Sequence, residues 1–258
     1  MFKLFMKYGL ALSGGGVKGF AHVGVIEVLE QAGFQPDIIS GTSIGSVIAT
    51  LYASGISTEE IMSLRNDLHF LKILTIDNPI DGFFSLKGLR RQLKQHIGDI
   101  NFDELSIDLV IAATKLKSGD PHYFTSGSVL DAVMASSSVP GVFNPMKIND
   151  ELFVDGGFST PVPARILKEL GADKVISVSL EHLGPMTKRP TVLKLLDRAP
   201  KMLRHNLIRW QEKAADFNIR VPSYNFNTIS ISHAQRLYEL GVEIAKEQLP
   251  AIKRLLKQ

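Results

Sequence analysis

YGLALSGGGVKGFAHVGVIEVLEQAGFQPDIISGTSIGSVIATLYASG, residues 8–55, decides the fold. Residues 8–13 form an apolar run of strand length, and residues 17–32 repeat their apolar positions at helical spacing up to Gly33. Residues 37–40 read as a second short strand and residues 44–54 as a second helix, ended by Gly55. Strand, helix, strand, helix in that order predicts parallel neighbours joined by crossover helices, hence an α/β architecture. Three consecutive glycines cost backbone entropy, so Gly14, Gly15 and Gly16 predict main-chain amides that something must approach closely.

Working outward, Ser57 and the acidic pair after it supply cap chemistry for a third helix, and Ser85 is placed to cap another over 86–97. Residues 107–116 (IDLVIAATKL) read as a strongly apolar strand with 122–127 as its partner, and Ser128 opens a helix to Ser137. Residues 145–157 predict a hairpin turning at Asn149-Asp150. Pro161 is expected to start a helix that Gly171 ends, followed by a buried strand over 174–180. Beyond Glu181 the chain reads as helical or irregular, which divides it into a domain over 8–180 and a helical C-terminal extension over 181–258.

The 258 residues are 45% hydrophobic, enough for a sizeable core, and contain no cysteine, so disulfides and thiolate metal sites are excluded. Lys3 and Lys7 interrupt the apolar start before it reaches the length of a signal segment or a membrane span. The expected location is cytoplasmic, with peripheral contact at the inner membrane face. The formal charge of +3 is uneven: residues 186–213 carry +6, leaving −3 for the remainder.

GTSIG, residues 41–45, fits G-x-S-x-G between a strand and a helix, where a serine is held on a sharp turn with its hydroxyl exposed. Gly41, Thr42, Ile44 and Gly45 would form that turn around Ser43, at a helix N-terminus that favours developing negative charge. A plain helix cap with small-residue packing fits the same five letters. The glycine run tips the balance, because a tetrahedral intermediate on Ser43 needs fixed donors for its oxyanion and glycine-loop amides supply them. GGGVKG also satisfies a dinucleotide-binding pattern, but the place expected to hold an acidic ribose contact is Ser40-Gly41, and no G-K-[ST] ending follows.

A serine nucleophile needs a base. The histidines are His22, His69, His96, His122, His182, His205 and His233; His182 and His233 are placed in chain order for a triad, without a supporting motif. The more distinctive candidate is Asp155, at the end of an apolar strand and followed by Gly156 and Gly157, although a turn aspartate would look the same.

These motifs in order, GGGVKG, GTSIG, ASSSVPGVFNP (135–145) and DGG (155–157), resemble the patatin-like phospholipases, specifically the compact bacterial members, over residues 8–180. The resemblance implies a mainly parallel central sheet flanked by helices in three layers. It implies Ser43 as nucleophile, Asp155 as general base, and Gly14, Gly15, Gly16, Val17, Lys18 and Gly19 as the oxyanion loop, with no metal or cofactor. The implied substrate is a lipid carboxylic ester. A thioesterase or acyltransferase would use the same residues, and a non-catalytic lipid-binding protein could keep the scaffold. The family often carries arginine where Lys18 stands; a lysine pairs less well with a carboxylate, and a solvated first-turn lysine is the alternative.

An ordinary aspartate, with a pKa near 3.9, is a weak base for a hydroxyl, so burial of Asp155 is expected. Such a base suits esters and thioesters better than amides, which predicts little peptidase activity.

In the basic segment, apolar residues recur at helical spacing (Val192, Leu196, Ala199, Leu203, Leu207, Trp210), with Pro200 expected to split the stretch and Asp197 or a neighbour to cap its second part. One reading is an interfacial helix on anionic lipid, each basic residue near the surface adding about 1 kcal/mol. The commoner arrangement is a helix packed on the sheet with its basic face outward. Aromatic residues are sparse there and no nucleic-acid motif is present, so nucleic acid is not an expected partner. Residues 60–104 are candidates for a lid or an acyl-chain wall, and their periodicity fits ordinary packed helices equally well.

Overall fold

The computed structural model describes residues 6–66, 75–76, 84–180, 183–186, 189–228 and 231–256. His69, His182, Lys188 and much of the lid candidate within 60–104 lie outside the described residues. The strands are β1 (Tyr8–Leu12), β2 (Ile38–Thr42), β3 (Thr75–Ile76), β4 (Phe84–Ser85), β5 (Asp108–Lys115), β6 (Pro121–Phe124), β7 (Met146–Ile148), β8 (Glu151–Asp155), β9 (Lys174–Leu180) and β10 (Phe217–Val221). The helices are α1 (Phe20–Gln31), α2 (Ile44–Ala53), α3 (Thr58–Ser63), α4 (Lys87–Ile97), α5 (Val129–Ser137), α6 (Ala164–Glu169), α7 (Val192–Gln211) and α8 (Ala234–Leu255).

The main sheet runs β10-β9-β1-β2-β5-β8-β7, with β6 also on β5. From β10 to β5 neighbours are parallel; β6, β7 and β8 add antiparallel pairs. Period-two alternation sends Leu10, Leu12, Ile176 and Val178 to one face, with α1, α2, α5 and α8, and Ala11 and Val175 to the other, with α6 and Ile208 of α7. The result is the expected three-layer arrangement with helices present after residue 180.

Local chemistry explains the ends. Ser57 and Glu60 close a capping box on α3, Ser128 caps α5, and Asn149 and Asp150 both take positive φ (47° and 65°) in the two-residue hairpin turn. Ser85 accepts the Lys87 N–H at 3.1 Å from within β4, just ahead of α4.

Four details differ from the sequence reading. The helix expected from residue 17 begins with a 3-10 turn (Gly16–Gly19). The helix expected at Pro161 begins only at Ala164: Pro163 disfavours a helical Val162, and the Ala164 N–H donates to Val162 O (2.8 Å). Pro200 does not split α7: the carbonyl it leaves unpaired belongs to the exposed Leu196, where water can reach it, and Asp197 pairs with Lys201 (2.6 Å) instead of capping. Finally, residues 217–221 form β10, an edge strand of the parallel sheet, so the C-terminal region contributes a strand as well as helices. Among the described residues no helix is long and apolar enough to cross a membrane.

Candidate active site

Ser43 sits between β2 and α2 at φ 53°, ψ −125°, a conformation costing about 1–3 kcal/mol in a non-glycine residue. The surrounding contacts hold it there. Side chains at Gly41 or Gly45 would collide with the Gly45 carbonyl and with the Leu12 and Ser13 carbonyls respectively. The Ser43 N–H donates to the Ser136 hydroxyl (2.8 Å), which donates onward to Ala112 O (2.6 Å). Ser46 N–H and hydroxyl both donate to Ser43 O (2.8 and 2.6 Å). Ser136 was quoted within ASSSVPGVFNP without a role; spacing alone does not say which of three serines turns toward the elbow.

Register brings Asp155 to this point. β2 pairs with β5 up to Thr42 opposite Ala112, and β8 pairs with β5 from Asp155 opposite Ala113. Because β6 occupies the other edge along Ile111–Thr114, β2 and β8 share one edge of β5 end to end. Ser43 and Asp155 therefore meet where the two strands abut. Gly156 lies in the junction, where a Cβ would strike Ala112 O.

Asp155 is 5% exposed. Burial raises its pKa, opposed by a hydrogen bond from the Ser43 side chain, by the charge of Arg204 and by the Gly157 N–H, which donates at 2.7 Å. The net direction is upward, which makes it a stronger base than a solvated aspartate.

Along the glycine loop, Gly14 N–H donates to Pro161 O (3.2 Å) and Val17 N–H to Thr228 O (2.9 Å). Those two amides are occupied, whereas the amides of Gly15 and Gly16 form no backbone hydrogen bond among the described residues. Gly19 packs on the side chain of Ile44, fixing the loop against the elbow. Lys18 is buried rather than solvated; its pKa falls to about 8 through desolvation first and then the charges of Arg204 and Lys201.

Arg204 is the feature the sequence did not single out. It comes from α7, and its Nη2 lies 3.0 Å from where a Cβ would stand on Gly14 and 3.5 Å from the same point on Gly157. Its buried Nε has no hydrogen-bond partner among the described residues. In the sequence it is one of the basic residues of the +6 segment over 186–213 and carries no motif of its own.

Helix α7 also reverses the expected packing. Ile208 and Gln211 are buried and Arg198, Arg204 and His205 are half-buried, while Leu196 (66% exposed) and Leu203 (73%) point outward with Val192 and Trp210. Its C-terminal end is pinned by Gln211 to Val162 N (2.8 Å) and Ser159 O (3.1 Å), and by the buried Glu212 just beyond to Ser179 (2.6 Å) and Arg220 (2.9 Å).

Among the described residues, the groups acting on Asp155 are Ser43, Arg204 and Gly157, none of them a histidine. His233 stands at the start of α8 against Phe226, His122 packs between Phe124 and Phe153, and His22 is buried against Ser13 O (2.8 Å). A hydroxyl on a strained elbow, a buried carboxylate with raised pKa and two open amides can support acyl transfer.

A match to the family described as patatin-like phospholipase covers residues 10–168. An uncharacterized NTE family protein of Mycobacterium tuberculosis is 32% identical over 190 residues, 69% of this chain and 51% of its own length. Lysophospholipase nte1 of Aspergillus fumigatus is 26% identical over 277 residues, 95% of this chain and 18% of its own. The chain thus spans about half the length of the first relative and less than a fifth of the second. Among solved structures, VipD of Legionella pneumophila superposes with a TM-score of 0.54 at 15% identity, covering 95% of this chain and 67% of VipD. ExoU, in its complex with SpcU from Pseudomonas aeruginosa, gives 0.53 at 19%, covering 96% and 52%. At those identities the two structures speak to the fold alone.

Proposed function

Because the chain belongs to the patatin-like phospholipase family, we propose that it is a serine acyl hydrolase that cleaves carboxylic esters of lipids through Ser43 and Asp155. The observation that carries this reading is an elbow serine placed beside a buried carboxylate whose pKa is raised and on which that serine acts. Ser43 Oγ attacks the ester carbonyl, Asp155 takes its proton, and the Gly15 and Gly16 amides hold the oxyanion. The proton then passes to the departing alcohol as the carbonyl–oxygen bond breaks. Water, deprotonated by the same aspartate, releases the acid and restores Ser43. Proton transfer completes as the attacking oxygen becomes acidic, which favours esters and thioesters over amides.

A fluorophosphonate probe should label the wild-type protein and not Ser43→Ala, while His233→Ala and His182→Ala retain turnover. A folded protein inert to the probe would favour a non-catalytic lipid-binding role, and loss of activity in a folded histidine variant would favour a triad. Relative rates on matched esters, thioesters and acceptor alcohols separate hydrolase from thioesterase and acyltransferase.

The partner surface in this reading is α7. Its outward apolar residues, flanked by Lys194, Lys201 and Arg209, suit the interface of an anionic bilayer. The protein would then act from the cytoplasm at the inner membrane face. Sedimentation with anionic vesicles should be salt-sensitive, and indifference to vesicle charge would refute this contact.

A further inference from the structure

We propose that Arg204 is a specificity-determining residue: its guanidinium receives a phosphate group on the substrate, so that the site prefers phosphate-bearing esters to neutral ones. This rests on the acyl-hydrolase reading and deepens it, assigning substrate selection to a residue outside the stretch of residues 10–168 that matches the family.

The geometry points there in three ways. First, the Gly14 Cβ position that lies 3.0 Å from Arg204 Nη2 lies 3.3 Å from Ser43 Cβ, so the guanidinium stands one glycine away from the nucleophile. In a glycerol-based phospholipid the ester carbonyl and the phosphate are separated by a few bonds, a span that fits this placement. Second, the buried Nε has no hydrogen-bond partner among the described residues. Burying a donor of a charged group without a partner is costly, and a tetrahedral anion would satisfy both Nε and an Nη at once. Third, among the described residues like charges crowd the loop: Arg204 and Lys201 both act against the charge of the buried Lys18, and Asp155 acts on Arg204. A bound anion would relieve that repulsion. Gln211 and Glu212 pin α7 about two turns from Arg204, giving the guanidinium a fixed place.

The test uses the full chain and monomeric substrates below their micelle concentrations, which keeps bilayer binding out of the measurement. A lysophospholipid and a monoacylglycerol with the same acyl chain are compared in wild type, Arg204→Gln and Arg204→Lys. Arg204→Gln should lower kcat/KM for the lysophospholipid about thirtyfold, mainly through KM, as expected for losing a charge-assisted contact. Assayed at a pH well above the acid limb of both proteins, it should change the monoacylglycerol less than about threefold. Arg204→Lys should fall between them, because it keeps the charge without the planar fork.

A second arm reads binding without turnover. Titration calorimetry with glycerol 3-phosphate, and separately with inorganic phosphate, should show binding to wild type that weakens at least about tenfold in Arg204→Gln. Tighter binding of glycerol 3-phosphate would identify a headgroup subsite, and equal binding a site for free phosphate, which would overturn headgroup selection. Equal losses on both esters would also overturn the proposal in favour of a role at the oxyanion or in packing, and gains on both would make Arg204 a plug. If Ser43→Ala keeps full activity, the acyl-hydrolase reading fails by itself; failure of glycerol 3-phosphate to bind wild type removes the subsite whether or not hydrolysis occurs.

Discussion

Of the helices around Ser43, α2 and α7 are held by the body of the protein in opposite ways. Every residue of α2 is buried, whereas α7, twice as long, buries Ile208 and Gln211 alone among its twenty. Helix α2 is set by close packing, with glycines where its backbone touches the sheet. A few polar bonds set α7, and its apolar side is left to the surroundings. Positions of the first kind fix geometry; those of the second remain open to substrate and partner. The nucleophile rides on the first helix and Arg204 on the second.

Variants can break this contrast or sharpen it. The largest effect should come from Asp155→Asn, which removes the base while the fold persists: kcat on a soluble ester should drop ~10²–10⁴-fold with no loss of melting temperature. A drop below tenfold would remove Asp155 from proton transfer. On the α2 side, Gly45→Ala drives a methyl into the Leu12 and Ser13 carbonyls, and urea unfolding should show a loss of about 3 kcal/mol. Ser136→Ala leaves the Ser43 N–H and Ala112 O without their shared hydroxyl; a cost of about 1–3 kcal/mol and a kcat reduced roughly tenfold are expected.

On the α7 side, Arg204→Gln should also move the pH profile. The charge of Arg204 lowers the Asp155 pKa against the upward push of burial, with Ser43 and the Gly157 N–H as its remaining partners. Removing the cation raises that pKa, so the deprotonated base appears only at higher pH. The acid limb of kcat/KM should therefore shift upward in pH, and an unmoved limb would show that Asp155 does not govern it. The smallest effect on stability is expected from Leu196→Asp with Leu203→Asp, within about 0.5 kcal/mol of wild type by urea unfolding, although the pair should abolish vesicle sedimentation.

What the sequence made legible follows the same division. The strand–helix alternation over residues 8–55, the Ser57 and Ser128 caps and the Asn149-Asp150 turn rest on short-range chemistry, whereas the pairing of Ser43 with Asp155 comes from the ordered motifs of the family resemblance, since each residue alone admits a capping or turn role. The orientation of α7 was not legible, because helical spacing reveals two faces without saying which one meets the protein. Its inward stripe mixes Ile208 with polar residues, and Gln211 and the neighbouring Glu212 bond to distant segments that spacing cannot name. The strand Phe217–Val221 alternates apolar and polar residues, but its partner β9 lies far enough back in the chain that the pairing shows only in three dimensions. In the glycine loop, composition announced exposed amides; which of them Pro161 and Thr228 would occupy depended on where those carbonyls came to rest.

The shared edge of β5 has an evolutionary corollary. Nucleophile and base are set by adjacent rungs, Ala112 and Ala113, so their spacing is indifferent to the length of chain running between them. Loops in that interval are free to grow, shrink or be exchanged among descendants, remodelling the mouth of the site without touching its chemistry. A single residue inserted between those two alanines would slide one partner by about 3.3 Å and turn the following side chains to the opposite face.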